Sequence, residues 1–253
     1  MGIIQFLLFF NLSLYYRHER EATLTPESPD PEQLKTNVTH FPKKRVAQVK
    51  SEPIIQLPIG VKLLSLILIA IHAGTLILPP EKLFSLIYRV AFVPGRYAGT
   101  PPFDPEALTI FTYMFFHGGW LHLLVNVGML MAFGAGIEKM AGPWRFFAFF
   151  MACGVLGAIT HFLFFMTSLD PMIGASGGIS GLFGGILRLM PGGGSWRKML
   201  PFIALWVGIS ILFGMMGAPG TNDGVAWTTH IGGFAAGLFL FGPICLYKNK
   251  RRF

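Results

Sequence analysis

A chain of 253 residues has room for one or two domains, yet 53% of its residues are hydrophobic and only 13% are charged. A water-facing surface needs roughly a quarter of its residues charged, so a chain with a mean hydropathy of +0.57 cannot cover itself for water. The charges are also segregated: residues 17–53 hold 13 of the 32, the last six residues hold four, and residues 58–247 hold the other 15. That is the pattern of a polytopic membrane protein with a charged N-terminal segment.

Residues 1–16 (MGIIQFLLFFNLSLYY) are apolar but only about 24 Å long as a helix. They read as an interfacial helix or an extra span, and they lack the basic n-region and small-residue cleavage site of a signal peptide. Residues 17–57 mix charges of both signs with Pro26, Pro29, Pro31, Pro42 and Pro53, and read as a disordered cytoplasmic linker. A membrane-crossing helix needs about 20 mainly apolar residues. The first such stretch is 59–78, ended by Pro79-Pro80, and a long mixed loop follows to about Phe116. Stretches 117–136, 144–165, 174–190, 199–216 and 227–247 complete six spans, and 248–253 form a basic tail.

Lysine and arginine orient these spans. With the N-terminus inside, 17 of the 20 basic residues fall on inner segments, and the other three (Lys82, Arg89, Arg96) lie in the first outer loop. The positive-inside rule therefore puts both termini in the cytoplasm. The same distribution explains the net charge of +8 without nucleic-acid binding.

Polar residues within spans are costly in hydrocarbon and mark function. No Asp or Glu lies mid-span; Glu138 stands at an inner helix end, and HExxH is absent. That disfavours an ion-coupled transporter, a two-aspartate protease and a membrane metalloprotease. Cys153 and Cys245 sit in apolar stretches as packing thiols, and no disulfide framework or CxxC is present.

The fourth stretch, GASGGISGLFGG from Gly174, is short and bracketed by Pro171 and Pro191. From Ser176 to Met190 a helix runs about 22 Å against a core of roughly 30 Å, so it is expected to begin inside the membrane, facing a wet cavity. At such a helix start the first backbone N–H groups lack intrahelical partners and can receive an oxyanion. Gly177, Gly181 and Gly185 offer a small-residue packing face, and Gly233 and Gly237 repeat that spacing in the sixth span beside His230. In the second span His122 and Asn126 share a helix face, while His117, five residues before His122, is expected to point elsewhere. Spans two, four and six all run inward, so a nucleophile, a base and two side-chain donors start on the outer side.

On these residues the chain resembles the rhomboid family of intramembrane serine proteases. The resemblance covers about 58–247 and rests on HGGWLHLLVN, GAGIEKMAG, the GASG that opens the short fourth span, and HIGGFAAG. It implies an all-α membrane fold, a six-helix bundle whose short fourth helix starts inside the membrane. It also implies a dyad of Ser176 (nucleophile) and His230 (general base), and an oxyanion hole from His122, Asn126 and the Ser176 backbone N–H. Single-span membrane proteins cut near the outer face are the implied substrates, and 217–226 is the implied mobile cap. Two positions depart from the family: Leu108–Thr109–Ile110–Phe111 replaces a Trp-Arg pair found in many members, and Ser180 stands where some place an aromatic residue against the histidine.

A catalytically silent rhomboid-like protein that binds membrane clients is the alternative, disfavoured because serine and histidine are both present. A metal site from His72, His117, His122, His161 and His230 is disfavoured because no pair has the i,i+4 ligand spacing. No cofactor and no metal are expected. The partners are the bilayer and single-span substrates, without nucleic acid, and the lean core favours a bacterial inner membrane. Reporter fusions after Ser168 and Asn222 should report outside, and fusions after Pro143 and Gly193 inside; an outside signal from the C-terminus would sink the six-span topology.

Overall fold

A computed structural model describes residues 57–98, 105–191, 195–216 and 226–246. The apolar segment 1–16, the linker up to residue 56, the tail 248–253 and nearly all of the expected cap lie outside those residues. Among the described residues the regular elements are helices, joined by one isolated antiparallel bridge between Phe92 and Met172.

Helix α1 is Ile59–Thr75. It ends earlier than expected because the Thr75 hydroxyl donates to the His72 carbonyl at 2.6 Å, and Leu76 and Leu78 continue as turns. The following segment, expected as loop, contains an amphipathic helix, α2, Pro80–Val90. Its signals are conventional: proline at the first position, Glu81 in the first turn and Arg89 in the last. Short turns over Pro94–Tyr97, Pro105–Leu108, Thr109–Thr112 and Tyr113–Phe115 lead to α3, Trp120–Ala141.

Helix α3 starts three residues later than expected and runs five further. Gly119 is extended at its N-terminus, and Gly142, at φ +84, ends it in a conformation that favours glycine. Pro143 then opens α4, Pro143–Phe164, at a position where no N–H is needed. Helix α5 is Ser176–Leu189, α6 is Trp196–Met216 and α7 is Trp227–Leu240. Helix α7 continues as a π-helical turn over Phe241–Leu246, where Pro243 has no N–H to keep the α ladder. Among the described residues four helices are long and apolar enough to cross a membrane: α3, α4, α6 and the continuous Trp227–Leu246. The apolar helices α1 and α5 are shorter, 17 and 14 residues.

Most of α5 is buried, whereas α6 buries only Met199 and Ser210. Glycine lets α5 sit so deep. A Cβ at Gly233 would run into the Gly177 carbonyl, and one at Gly237 into the Gly181 carbonyl. A Cβ at Gly184 would lie 2.6 Å from the Phe234 carbonyl, and one at Gly178 would lie 2.6 Å from the Phe150 ring. Backbone thus meets backbone between α5 and α7. The expected stripe needs one correction: Gly185 faces Ile137 and Phe149 instead, and Gly184 completes the α7-facing row. Steps of four and then three residues hold one helix face better than two steps of four.

Glu138 stands in the last turn of α3, as expected, and it is 4% exposed. Its two carboxylate oxygens accept the N–H groups of Gly60 and Val61, each at 2.7 Å. Pro58 offers α1 no side-chain cap, so Glu138 supplies one from 77 residues away. Gly60 is small because a Cβ there would stand 2.9 Å from both oxygens. Replacing Glu138 with Ala leaves buried donors unmatched, at about 1–3 kcal/mol each. Gly233→Ala should cost a comparable amount, about 1–3 kcal/mol, by forcing α5 and α7 apart. Thermal unfolding in detergent checks both, and unchanged midpoints would refute the two assignments.

Candidate active site

The segment before α5 is pinned on two sides. Phe92 and Met172 exchange backbone hydrogen bonds at 3.0 and 2.9 Å, and the Gly95 N–H donates to the Ser168 carbonyl at 2.8 Å. Next, the Gly174 N–H donates to the Tyr113 carbonyl at 2.9 Å. Tyr113 is itself fixed: its buried hydroxyl donates to the Gly154 carbonyl on α4 at 2.8 Å. Gly174 takes φ +131, which delivers the chain into α5 at Ser176. The first bond closing this turn is Ile179 N–H to the Ala175 carbonyl, so the N–H groups of Ser176, Gly177 and Gly178 have no intrahelical partner.

His230 is in the first turn of α7, and its Nε2 is 2.8 Å from Ser176 Oγ. The helix contact through Gly177 and Gly233 sets that separation. Two neighbouring threonines hold the start of α7. Thr228 Oγ1 hydrogen-bonds His161 Nδ1 on α4 at 2.8 Å, and Thr229 Oγ1 donates to Met172 Sδ at 2.9 Å. No aromatic ring packs on His230 among the described residues, so these threonine contacts keep the histidine in register where some relatives use an aromatic. Ser180 lies one turn deeper and buried, with its hydroxyl donating to the Ser176 carbonyl at 2.7 Å.

His122 reaches the same place from α3. A Cβ at Gly174 would lie 2.9 Å from His122 Nε2 and 3.8 Å from Ser176 Oγ, so the Nε2 edge overhangs Gly174 beside the serine. Asn126 is buried one turn further along, with Nδ2 donating to the His122 carbonyl at 3.0 Å. An amide nitrogen has two N–H groups, so one remains for another acceptor. Ser176, His230 and His122 therefore converge, with Asn126 on the next turn. His117 corrects the expectation of a residue pointing elsewhere on the helix: it precedes α3, and its ring meets the His122 ring edge-on at 5.0 Å.

Sequence reasoning missed Tyr113, Thr228, Thr229 and Met172, since a buried tyrosine or threonine carries no periodic signal, and it weighed His161 only as a disfavoured metal ligand. The first loop, which lacks the Trp-Arg pair, is anchored otherwise. Arg96 lies 4.0 Å over the Tyr88 ring and donates to the Tyr88 carbonyl at 2.7 Å, and Thr112 Oγ1 donates to the Val90 carbonyl at 2.8 Å. Among the described residues no group of three His, Cys, Asp or Glu side chains converges to hold a metal, and Cys153 and Cys245 are buried free thiols.

Gly174→Ala tests this geometry directly. A methyl group there meets the His122 ring on a backbone that disfavours any side chain, so labelling of Ser176 by a serine-reactive phosphonate should slow by about tenfold or more, as for loss of an oxyanion donor. Labelling at the wild-type rate would show that His122 does not overhang Ser176.

A family model for the Rhomboid domain matches residues 104–247. RHOMBOID-like protein 4 of Arabidopsis thaliana is 32% identical over 136 residues, covering 52% of this chain and 32% of that protein. Rhomboid protease GluP of Bacillus subtilis is 33% identical over 144 residues, 55% of this chain and 26% of that protein. The chain thus spans about a third and a quarter of the lengths of these two relatives. Putative rhomboid protease YdcA, also of Bacillus subtilis, is 28% identical over 151 residues, 57% of this chain and 70% of that protein. With the domain match across more than half of its length and, among the described residues, four helices fit to cross a bilayer, the chain is an integral membrane protein of the rhomboid family.

Proposed function

We propose that this chain is an intramembrane serine endopeptidase, with Ser176 as nucleophile and His230 as general base. The observation that carries the reading is the 2.8 Å hydrogen bond between Ser176 Oγ and His230 Nε2, at a helix start whose N–H groups have no intrahelical partner. Serine is a weak nucleophile until an adjacent base takes its proton, and His230 is the base in reach. As Ser176 Oγ attacks the scissile carbonyl, its proton moves to His230. The carbonyl oxygen becomes an oxyanion and accepts hydrogen bonds from the Ser176 N–H, His122 and Asn126. His230 then gives the proton to the departing amine, and water hydrolyses the acyl-enzyme by the same route in reverse.

Residues 58–247 form the catalytic domain, with six spans: α1, α3, α4, α5, α6 and α7 with its π turn. The 14 residues of α5 make about 21 Å of helix, too short for a core of roughly 30 Å, so α5 starts below the outer surface. The distribution of basic residues favours both termini in the cytoplasm. Ser176, His230 and His122 then all stand toward the outer face. Substrates are single-span membrane proteins cut near that face.

In proteoliposomes with single-span substrates, Ser176→Ala and His230→Ala should each abolish cleavage and phosphonate labelling. Ser180→Ala should keep most activity, because its hydroxyl bonds a backbone carbonyl. Cleavage that survives Ser176→Ala and vanishes with Ser180→Ala would transfer the nucleophile to Ser180. Wild-type protein that binds single-span clients and neither labels nor cuts would favour the silent alternative. Asn126→Ala should lower kcat by about 10²–10³ with little change in KM; earlier melting with normal turnover would make Asn126 a packing residue.

A further inference from the structure

Three of the seven histidines gather where α1 ends and α3 begins. His72 and His117 are 4% and 5% exposed, and no nitrogen of either ring has a hydrogen-bond partner among the described residues. The Phe115 carbonyl is within electrostatic reach of His117 but outside hydrogen-bond geometry. The His117 ring meets the His122 ring at 5.0 Å and 73°, and the His72 ring meets the ring of Trp120, in the same first turn of α3 as His122, at 4.8 Å and 87°.

A neutral imidazole carries one N–H donor and one bare acceptor. Buried polar groups without a protein partner are ordinarily matched by ordered water. Water fits this cluster better than a cation does, because no three ligating side chains converge in metal geometry among the described residues.

The orientation of His122 gives such water a task. The Nε2 edge of His122 faces Gly174 and Ser176, while Nδ1 is on the Gly118 side, 4.0 Å from where a Gly118 Cβ would stand. Donating to an oxyanion at Ser176 requires the His122 proton on Nε2, with Nδ1 left as an acceptor. Which nitrogen keeps the proton is decided by the hydrogen bond at the other, and among the described residues no protein group bonds Nδ1. We propose that His72 and His117 form a buried hydration site beside His122, whose water donates to His122 Nδ1 and holds the His122 proton on Nε2, toward Ser176. His72 and His117 are then positioning residues, acting through His122. The inference rests on the protease reading, in which His122 is an oxyanion donor.

The test uses the full chain in nanodiscs, labelled with 15N-histidine, as wild type, His72→Phe, His117→Phe and His117→Gln. In the wild type the His122 nitrogen signals should show the Nε2–H tautomer. Phenylalanine keeps the ring shape and removes both nitrogens, so His122 should shift toward the other tautomer. The value of kcat should fall roughly tenfold or more, a fraction of the loss of a whole oxyanion donor, with KM and the unfolding midpoint nearly unchanged. His117→Gln restores a donor and an acceptor and should recover part of kcat. The proposal is overturned if the Phe variants keep the wild-type tautomer, if kcat falls only with the folded fraction, or if purified protein holds a stoichiometric metal that either Phe variant releases. Wild-type labelling and cleavage with indifferent Phe variants would remove this inference alone. Wild type that neither labels nor cuts would remove the protease reading, while the nitrogen signals still decide the tautomer.

Discussion

The contact of α5 with α7, backbone against backbone, is the constraint on which the rest of the site depends. Gly177 and Gly181 on one helix face Gly233 and Gly237 on the other, and no side chain fits between them. Hydrocarbon supplies no hydrophobic drive for helices to associate, so close van der Waals packing must supply it. The same packing has a chemical result. Ser176 precedes Gly177 and His230 precedes Gly233 by a few residues, so helices touching at the glycines bring serine and histidine to 2.8 Å. Side chains large enough to separate the backbones would separate the dyad too.

The remaining elements fix the ends of that central pair. Helix α4 wraps it through Gly157 and Gly178, while His161 on α4 hydrogen-bonds Thr228 at the head of α7. Met172 is held by Phe92 and in turn accepts from Thr229, so the first loop, the approach to α5 and the start of α7 are tied together. Glu138 ties α1 to α3 at their other end by capping Gly60 and Val61. Buried donors in a membrane find no water, so a carboxylate that accepts two of them does the work that solvent does elsewhere.

A free helix start also suits the proposed hydrolysis in such surroundings. An oxyanion in a low-dielectric site requires donors already aimed at it, and backbone N–H groups of a first turn meet that need without a charged residue. Ser176 comes with this turn, whereas Ser180, four residues on, turns its hydroxyl to the Ser176 carbonyl. The two serines are thus told apart by their backbone hydrogen bonding.

Much of this was legible in the sequence for a physical reason. Hydrophobic length, the spacing of glycines and polar residues stranded among apolar ones are local, and each is costly to violate in a bilayer. Helix existence and the membrane class were therefore readable from the residues, and Ser176, His230 and His122, singled out there as polar residues within spans, lie together in the fold. Only tertiary structure decided matters resting on pairs far apart in the chain. Glu138 reads as a helix-end charge until Gly60 and Val61 arrive to be capped. Gly184 replaces Gly185 because steps of four and then three residues keep to the helix face that meets α7. His117 turns back onto His122 because α3 begins only after Gly119. Tyr113, Thr228 and Thr229 are ordinary residues in one dimension; they matter because folding places Gly174, His161 and Met172 beside them.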